Sequence, residues 1–395
     1  MHLIHTFGHL LGGTLLVAGT SIGVGMLALP LATAEGGFLP AFFIYLICWL
    51  FMLSMGLLIL EACTWVPKDS NLITIAGYLL GLPGRISCWI LYLYLFFCLM
   101  VAHVSGAGSV VFAISGGFFS MKLGTILYVL LFSSFVYLGT KWVDRINLIL
   151  MTGLLLTYLV FVTSCASHIH LDLLKHMNWV KAWGALPVIF TAFGFQSLIP
   201  TLVTYMNRQI EHVRLAIILG TSIPFIIYVI WELLILGIVP LGGTEGLLAA
   251  FQQGENATSP LGHFISNPYL LKTGQIFAFF ALTTSFMGIS IAFTDFLADG
   301  FKVEKTALTK LGLSAIIFVL PTVIALVDPS IFIQALSASG GIGVALLFGA
   351  LPILMVWSGR YRKTLPHKIS LLPDGKPLLA LLMVFVLIEL FLEIV

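Results

Sequence analysis

Charged residues are scarce in this chain of 395 residues: Asp, Glu, Lys and Arg make up 9% of it, and hydrophobic residues make up 60%. Soluble domains contain about 25% charged and about 45–50% apolar residues. A soluble fold of this length needs a far larger charged surface, so the composition excludes one. We therefore expect an integral membrane protein whose main solvent is the lipid bilayer.

Other shortages narrow the class further. The net charge is only +2 and no basic cluster is present, so we expect neither an acidic partner nor a nucleic acid. The five cysteines are odd in number and lie in or beside apolar stretches, which predicts packing residues and not a disulfide framework. No basic segment and no A-x-A site flank the first apolar run, so we expect it to be retained as a span. We expect no cofactor and no metal ion.

The length limits the number of membrane crossings. A crossing helix needs roughly 20 apolar residues, which leaves room for about 10–12 crossings and no soluble domain. The apolar runs are continuous and not alternating, which excludes a β-barrel. Eleven apolar segments, numbered here as spans 1 to 11, are predicted at 8–34, 38–62, 86–113, 121–139, 146–168, 182–204, 213–238, 271–297, 308–328, 330–357 and 377–395.

Lysine and arginine are unevenly distributed between the two sets of loops. If the N-terminus is cytoplasmic, the inner loops hold fourteen of the 18 basic residues. Such an excess marks cytoplasmic loops. We therefore expect a multi-pass protein with a cytoplasmic N-terminus and a C-terminus on the outer side. The inner residues are Lys68, Arg85, Lys141, Arg145, Arg208, Arg214, Lys302, Lys305, Lys310, Arg360, Arg362, Lys363, Lys368 and Lys376, and the outer ones are Lys122, Lys175, Lys181 and Lys272.

Two connections are long enough for local structure. Asp69 or Ser70 is expected to cap a short helix that runs to Leu80, before the sequence Gly81-Leu82-Pro83-Gly84 breaks it. The stretch 241–270 is predicted to be the one sizeable polar loop. Its Asn256-Ala257-Thr258 fits the glycosylation pattern, although matches to a three-residue pattern are mostly chance.

The first span contains residues that weaken a helix in lipid. It has three glycines within seven residues, with hydroxyl side chains between them, and such interruptions persist only where protein or a cavity covers the backbone. Close helix packing through small residues is the alternative explanation for span 1 alone. If the helix is broken, the candidate substrate-binding residues are Gly19, Thr20, Ser21, Gly23, Val24 and Gly25.

A second interruption lies five spans later, in span 6. Paired interruptions in corresponding halves indicate a transporter built from inverted repeats. We expect an all-α membrane protein with a 5+5 inverted repeat, residues 1–168 and 182–357, and an additional helix at 377–395. The candidate binding residues at the second break are Thr191, Phe193, Gly194, Phe195 and Gln196.

Two broken helices suit a particular kind of ligand. Unwinding exposes N–H groups at one half-helix, which attract a carboxylate, and C=O groups at the other, which attract an ammonium group or a cation. A free amino acid carries both charges. The pattern therefore predicts a small-molecule amino acid as the substrate, held without a buried Arg or Asp.

Several segments of the sequence together resemble those of a known protein family. They are the G-x-G of Gly23–Gly25, Val66-Pro67-Lys68-Asp69, Ala102–Gly108 (AHVSGAG), Thr191–Met206 (TAFGFQSLIPTLVTYM) and Gly288–Asp299 (GISIAFTDFLAD). Together they resemble the hydroxy and aromatic amino acid permease family of the amino acid–polyamine–organocation superfamily. The resemblance covers nearly the whole chain and is closest to the bacterial tyrosine-specific permeases.

The resemblance implies eleven helices in the 5+5 arrangement and import of tyrosine, with tryptophan as a second substrate, by proton symport and alternating access. It also implies a bacterial inner membrane, so that the C-terminus is periplasmic. This sequence departs from the family at Gln196, where a His is usual, and at Glu232 of span 7, where we expect a neutral residue.

Four polar residues within the spans are candidates for coupling and gating. His103 in span 3 and Glu232 in span 7 are candidate proton carriers, because a titratable group in a span is a functional candidate by default. Ser285 in span 8 is a candidate ligand of a coupling cation, with sodium as the alternative to the proton. Asp295 is a candidate for the inner gate, paired with Lys302 or Arg208. Each has an ordinary structural alternative as a hydrogen-bonding or ion-pairing residue.

Two other functions stay open. The carrier can instead take small hydroxy amino acids such as serine and threonine. The stretch Gly19-Thr20-Ser21-Ile22-Gly23 matches the G-x-S-x-G pattern of serine hydrolases, but that pattern needs a strand–turn–helix context, and it does not explain the second break. The oligomeric state stays undetermined.

Overall fold

The fold is that of a helical membrane protein with eleven spans. A computed structural model describes residues 2–67, 70–265, 267–304, 306–365, 372–373 and 375–394, and no strand occurs among them. Ten helices are long and apolar enough to cross a membrane, and a pair of helices bent by 53° forms one more span. The prediction of eleven spans is confirmed.

The spans follow the predicted apolar segments closely. Span 1 consists of two helices, His2–Ser21 and Val24–Thr33. Span 6 extends over Trp179–Tyr205 and span 10 over Phe332–Arg362, each built from several shorter pieces. The other spans are Phe38–Thr64, Leu72–Ile114, Met121–Leu138, Thr140–Cys165, Ile210–Ile238, Pro268–Phe301, Ala307–Val327 and Lys376–Ile394.

Span 3 starts earlier than predicted. Its helix begins at Leu72, and Asn71 caps it by accepting a hydrogen bond from the N–H of Thr74 at 2.9 Å. Ser70 is therefore not the cap, and Asp69 lies outside the described residues. The predicted break does occur, because Gly81 has a φ of 78° within the helix. Such a value suits glycine, so the segment before it bends away from the rest of span 3.

The connection between spans 7 and 8 has local structure, as its length predicts. It contains the short helices Leu247–Gln252 and Leu261–Phe264, and the N–H of Ala257 donates to the carbonyl of Leu27 in span 1 at 2.8 Å. Asn256 is buried and accepts from the hydroxyl of Thr258, so its amide is inaccessible to a glycosylating enzyme. Burial raises the pKa of Glu255 above its ordinary value.

The spans differ in how much of their surface packs inside the protein. The most apolar window of span 10 is 78% buried and that of span 6 is 72% buried, whereas the values are 28% for span 5 and 22% for span 11. Spans 6 and 10 are therefore central, and spans 5 and 11 face lipid over most of their length. The two predicted interruptions lie in spans 1 and 6, at the centre of the molecule.

Candidate functional site

The break in span 1 exposes backbone groups of both signs. The first helix ends at Ser21 and the second begins at Val24, with Gly23 as its N-cap. The N–H of Met26 donates to the carbonyl of Gly23 at 3.2 Å. The N–H groups of the first residues of a helix have no partner within it, so those of Val24 and Gly25 point into the break. They form the positive end of a helix dipole.

The break in span 6 lies at the end of a short helix. Leu186–Ala192 is helical, Phe193 to Phe195 are not, and the chain continues through a single turn at Gln196–Leu198 into the helix Ile199–Tyr205. Gly194 closes a tight turn with its N–H on the carbonyl of Thr191 at 3.2 Å. The span therefore has a helix C-terminus inside the protein, with carbonyl groups directed along its axis.

The two breaks meet at Gly25. A Cβ atom at this position would lie 2.9 Å from the Cα atom of Ala192 and 3.0 Å from its Cβ atom. Both approaches are shorter than packed side chains allow, so only glycine lets the second helix of span 1 pack this closely on the first helix of span 6. A similar restriction holds at Gly23, where a Cβ atom would lie 2.8 Å from Oγ of Ser285.

One hydroxyl group links the two helix ends. Tyr228 of span 7 is fully buried, and its hydroxyl lies 2.6 Å from the carbonyl oxygen of Ser21 and 2.9 Å from that of Ala192. These are the last residues of the two helices that end at the breaks. Sequence reasoning missed Tyr228, because a tyrosine in an apolar run carries no local signal for so distant a contact.

His103 and Ser285 form a pair beside the first break. Nδ1 of His103 is 2.6 Å from the carbonyl oxygen of Leu99, and Nε2 is 2.8 Å from Oγ of Ser285. A carbonyl only accepts hydrogen bonds, so Nδ1 carries a proton, and in the neutral ring Nε2 accepts from Ser285. Because Ser285 also contacts Gly23, the pair connects span 3 to the broken span 1 through span 8.

Glu232 is the centre of a buried polar cluster. Its carboxylate accepts hydrogen bonds from the hydroxyl of Thr33 in span 1 and, at 2.7 Å, from that of Tyr45 in span 2. All three residues are at most 1% exposed. The ring of Tyr45 meets that of Phe193 edge-on, with 6.3 Å between centroids. The cluster thus joins spans 1, 2 and 7 next to the break in span 6, and the sequence did not identify Thr33 or Tyr45.

Several predicted binding residues point away from the meeting point. Thr20 is exposed, and its hydroxyl donates to the carbonyl of Leu16 in its own helix. Gly19 faces Met151 of span 5. The hydroxyl of Thr191 donates to the carbonyl of Leu336 in span 10 at 2.8 Å. These three residues therefore contact the helices around the site and not the point where the two breaks meet.

Two more residues of the second break face span 2. The amide oxygen of Gln196 accepts from the N–H of Phe195 at 2.9 Å, and its nitrogen donates to the carbonyl of Met52 at 3.2 Å. The ring of Phe195 packs against Gly56. The polar atoms of Gln196 thus bond to the break itself and to span 2, and its part in binding stays a prediction.

A buried ion pair joins span 2 to span 10. Arg208 donates to the carbonyls of Cys63 and Val66, and Asp295, the predicted gate residue, is half-buried in span 8. Glu61 at the end of span 2 accepts two hydrogen bonds, of 2.7 and 2.6 Å, from Arg360 of span 10. Both of these side chains are 1% exposed. Lys305, another inner basic residue, lies outside the described residues.

The Tyr228→Phe variant tests the link between the helix ends. Losing the hydroxyl leaves the carbonyls of Ser21 and Ala192 without that donor. A buried polar group that loses its hydrogen-bond partner costs about 1–3 kcal/mol of stability. Without this hydroxyl the two helix ends are no longer held together. We therefore expect the apparent affinity for the substrate to fall by roughly tenfold, equivalent to about 1.4 kcal/mol. The measurement is the concentration dependence of amino acid uptake into cells that produce equal amounts of each variant.

The matched control is Tyr158→Phe. The hydroxyl of Tyr158 also donates to a backbone carbonyl, that of Ile227 at 3.2 Å, but to neither of the carbonyls that end the broken helices. We expect its uptake curve to match that of the unchanged protein. Equal effects of the two substitutions would contradict a specific role for Tyr228.

Comparisons with known proteins agree with this architecture. A model of the tryptophan/tyrosine permease family matches residues 7–392. Among similar proteins of Haemophilus influenzae, tyrosine-specific transport system 1 is 31% identical over 91% of this chain and 90% of its own length. Tyrosine-specific transport system 2 is 29% identical over 91% of this chain and 90% of its own length.

A solved structure gives the likeness in three dimensions. The crystal structure of MhsT in complex with L-phenylalanine superposes with a TM-score of 0.64 at 14% sequence identity, over 96% of this chain and 98% of that one. The predicted class is therefore confirmed as an all-α transporter fold of the 5+5 type with broken spans 1 and 6 and one additional C-terminal helix.

Proposed function

Because the chain belongs to the tryptophan/tyrosine permease family, we propose that it imports aromatic amino acids, tyrosine first and tryptophan second, by proton symport with alternating access. Proteins of this family are transport proteins and not enzymes, so the serine hydrolase alternative is wrong. Ser21 also ends a helix and its carbonyl binds Tyr228. The observation that supports the proposal best is the meeting of the two broken helices at Gly25 and Ala192.

The proposed substrate site lies between the two breaks. The free N–H groups of Val24 and Gly25 bind the α-carboxylate, because the N-terminus of a helix attracts anions. The carbonyls of Ser21 and Ala192 bind the α-ammonium group through their remaining lone pairs, beside the hydroxyl of Tyr228. The His103–Ser285 pair and the ring of Phe193 lie beside these groups and contact the substrate side chain.

The proposed proton carrier is Glu232. It is a buried carboxylate that bonds to one hydroxyl from span 1 and one from span 2. Burial favours the neutral form of a carboxyl group over the charged form. Binding a proton at Glu232 therefore changes the strength of the contacts between these spans. His103 is the second candidate, and a sodium ion near Ser285 is the alternative to proton coupling.

We place the protein in the bacterial inner membrane with its N-terminus in the cytoplasm and its C-terminus in the periplasm. This orientation rests on the distribution of basic residues. In the proposed division, residues 1–168 and 182–357 are the inverted repeats, and residues 377–395 form the additional helix. Spans 1, 2, 6 and 7, which we call the bundle, then rock against the other spans.

Opening to the cytoplasm requires the bundle to separate from span 10 at the ion pair of Glu61 and Arg360. Removing one partner of a buried pair costs about 3–5 kcal/mol, so we expect Glu61→Gln to favour the inward-open state. Cys63 is 3% exposed and lies next to this pair in span 2. We expect its labelling by a thiol reagent, measured by mass spectrometry on inverted vesicles, to increase several-fold.

The control for this prediction is Arg214→Gln. Arg214 and Glu211 form an exposed pair with a separation of 3.8 Å, and exposed pairs contribute little. Labelling of Cys63 should match that of the unchanged protein. If Glu61→Gln also leaves it unchanged, Glu61 and Arg360 do not form the inner gate.

The proposed function is tested by uptake of labelled tyrosine in competition with tryptophan, phenylalanine and serine, with and without a protonophore. We expect the aromatic amino acids to compete and the protonophore to abolish accumulation. Inhibition by serine alone would instead identify a carrier of small hydroxy amino acids. Uptake that ignores the protonophore but follows the sodium gradient would contradict proton symport.

A further inference from the structure

Span 11 carries two glutamates one helical turn apart, Glu389 and Glu393. Although most of this span faces lipid, Glu389 is 0% exposed. Within the described part of the chain, neither of its carboxylate oxygens has a hydrogen-bond partner. The carboxyl group is therefore directed into the protein. An apolar side chain would pack better at this position.

Glu393 attaches this position to span 10. Its Oε2 atom accepts a hydrogen bond from the hydroxyl of Ser337 at 2.8 Å. The carboxyl group fills the space beside Gly341, where a Cβ atom would lie 2.5 Å from Oε2. Residue 393 is half-buried near the end of span 11, so it lies between the buried Glu389 and the aqueous phase.

Among the residues that the structure describes, no positively charged group faces either carboxylate. The ionisable side chains that face the two glutamates are Cys48 of span 2, which faces Glu389, and Tyr94 and Cys98 of span 3, which face Glu393. Within the described residues, spans 6 and 10 add no ionisable side chain that faces the two glutamates. Neither glutamate forms an ion pair within the described residues. An ionised carboxylate buried without a cation or donor is costly, and a second one a turn away makes it more so.

We propose that Glu389 and Glu393 form a proton-binding site of their own, separate from Glu232 in span 7. A proton from the aqueous side reaches the carboxylate of Glu393 and passes to Glu389, where it forms the O–H bond of a neutral acid. No electron is transferred, and Glu393 returns to the ionised form that accepts from Ser337. The pair therefore holds one proton, which resides on Glu389.

The site borders the machinery of the second break. Ser337 lies two residues before Ser339, and the hydroxyl of Ser339 is 2.8 Å from that of Thr191, at the end of the first helix of span 6. Span 10 approaches that helix so closely that a Cβ atom at Gly340 would lie 1.7 Å from the carbonyl oxygen of Pro187. A change in charge on span 11 thus acts on the span 10 segment that packs against span 6.

The first test measures the proton directly and does not depend on transport. Infrared spectra of the purified protein in liposomes, without substrate, are recorded over a range of pH to follow the carbonyl stretch of protonated carboxyl groups. We expect Glu389→Gln to remove a component of this band that Glu232→Gln and the exposed-site variant Glu211→Gln both retain. A band unchanged by Glu389→Gln would overturn the proposal.

A second variant covers the case in which Glu389→Gln does not fold. Glu393→Gln removes the neighbouring negative charge and keeps a side chain that can bond to Ser337. We expect the Glu389 component of the band to disappear at a lower pH than in the unchanged protein, because ionising Glu389 no longer opposes a second charge. Disappearance at the same pH would overturn the shared site.

The effect on transport rests on the proposed function and is measured separately. We expect Glu389→Gln to flatten the dependence of tyrosine uptake on external pH while uptake itself continues, whereas an unchanged pH profile would contradict any influence of the site on span 10. If the unchanged protein does not take up tyrosine, the proposed function fails and the infrared result still stands.

Discussion

Replacing Gly25 by leucine should abolish uptake while the protein still inserts into the membrane. The Cβ atom alone would come within 2.9 Å of the backbone of Ala192, so a leucine side chain forces the two broken helices apart. Overpacking typically costs about 1–3 kcal/mol of stability, which a protein of this size tolerates. A displacement of about 1 Å at a reacting or binding site can cost about 100-fold in rate, and we expect a loss at least this large.

The control is Gly288→Leu in span 8. Gly288 is exposed, and no atom lies within 4 Å of the position that its Cβ atom would occupy. The Gly288→Leu variant therefore reports the effect of placing a leucine in a span where it clashes with no neighbouring atom. The measurement is tyrosine uptake normalised to the amount of protein in purified membranes. Normal uptake by the Gly25→Leu variant would remove the proposed site from the meeting point of spans 1 and 6.

The second large effect concerns Glu232. Glutamine retains the size of the side chain and one oxygen, which accepts from either Thr33 or Tyr45, but it does not take up a proton. We expect Glu232→Gln to lose accumulation against a gradient, so that tyrosine only reaches equal concentrations on both sides. Exchange of internal for external tyrosine should continue, because exchange needs no net movement of protons.

Two measurements in liposomes separate these activities. Uptake driven by an imposed pH gradient reports coupling, and release of labelled tyrosine against unlabelled tyrosine reports exchange. Glu211→Gln is the matched control, since Glu211 lies in the same helix but is exposed. Undiminished accumulation by Glu232→Gln would place the coupling proton elsewhere, with His103 as the next residue to test.

The spans and their breaks were predictable because lipid imposes a simple rule on local sequence. A helix in the bilayer satisfies its own backbone, so a run of glycines with hydroxyl neighbours is visible against the apolar background. The positions of Gly23, Gly25 and Gly194 follow from this rule alone. Even the kink of span 3 at Gly81 was visible, although its cap at Asn71 was placed one or two residues too early.

The contacts inside the site were not predictable in the same way. Thr33 and Glu232 are 199 residues apart, and Tyr228 joins two carbonyls from different spans. No local pattern encodes such pairs. The orientation of Gln196 was also hidden, since the residues of a break follow no helical periodicity that assigns side chains to a face.

The position of Tyr228 has a consequence for counting hydrogen-bond donors. Its hydroxyl supplies a single proton to two carbonyl oxygens, so the two helix ends share one donor between them. An ammonium group brings three. In the proposed site, the arriving amino acid therefore corrects a shortage of donors that the empty protein carries at its centre. Recognition of the free amino group then follows from the number of hydrogen-bond donors and acceptors, and it requires no charged side chain in the protein.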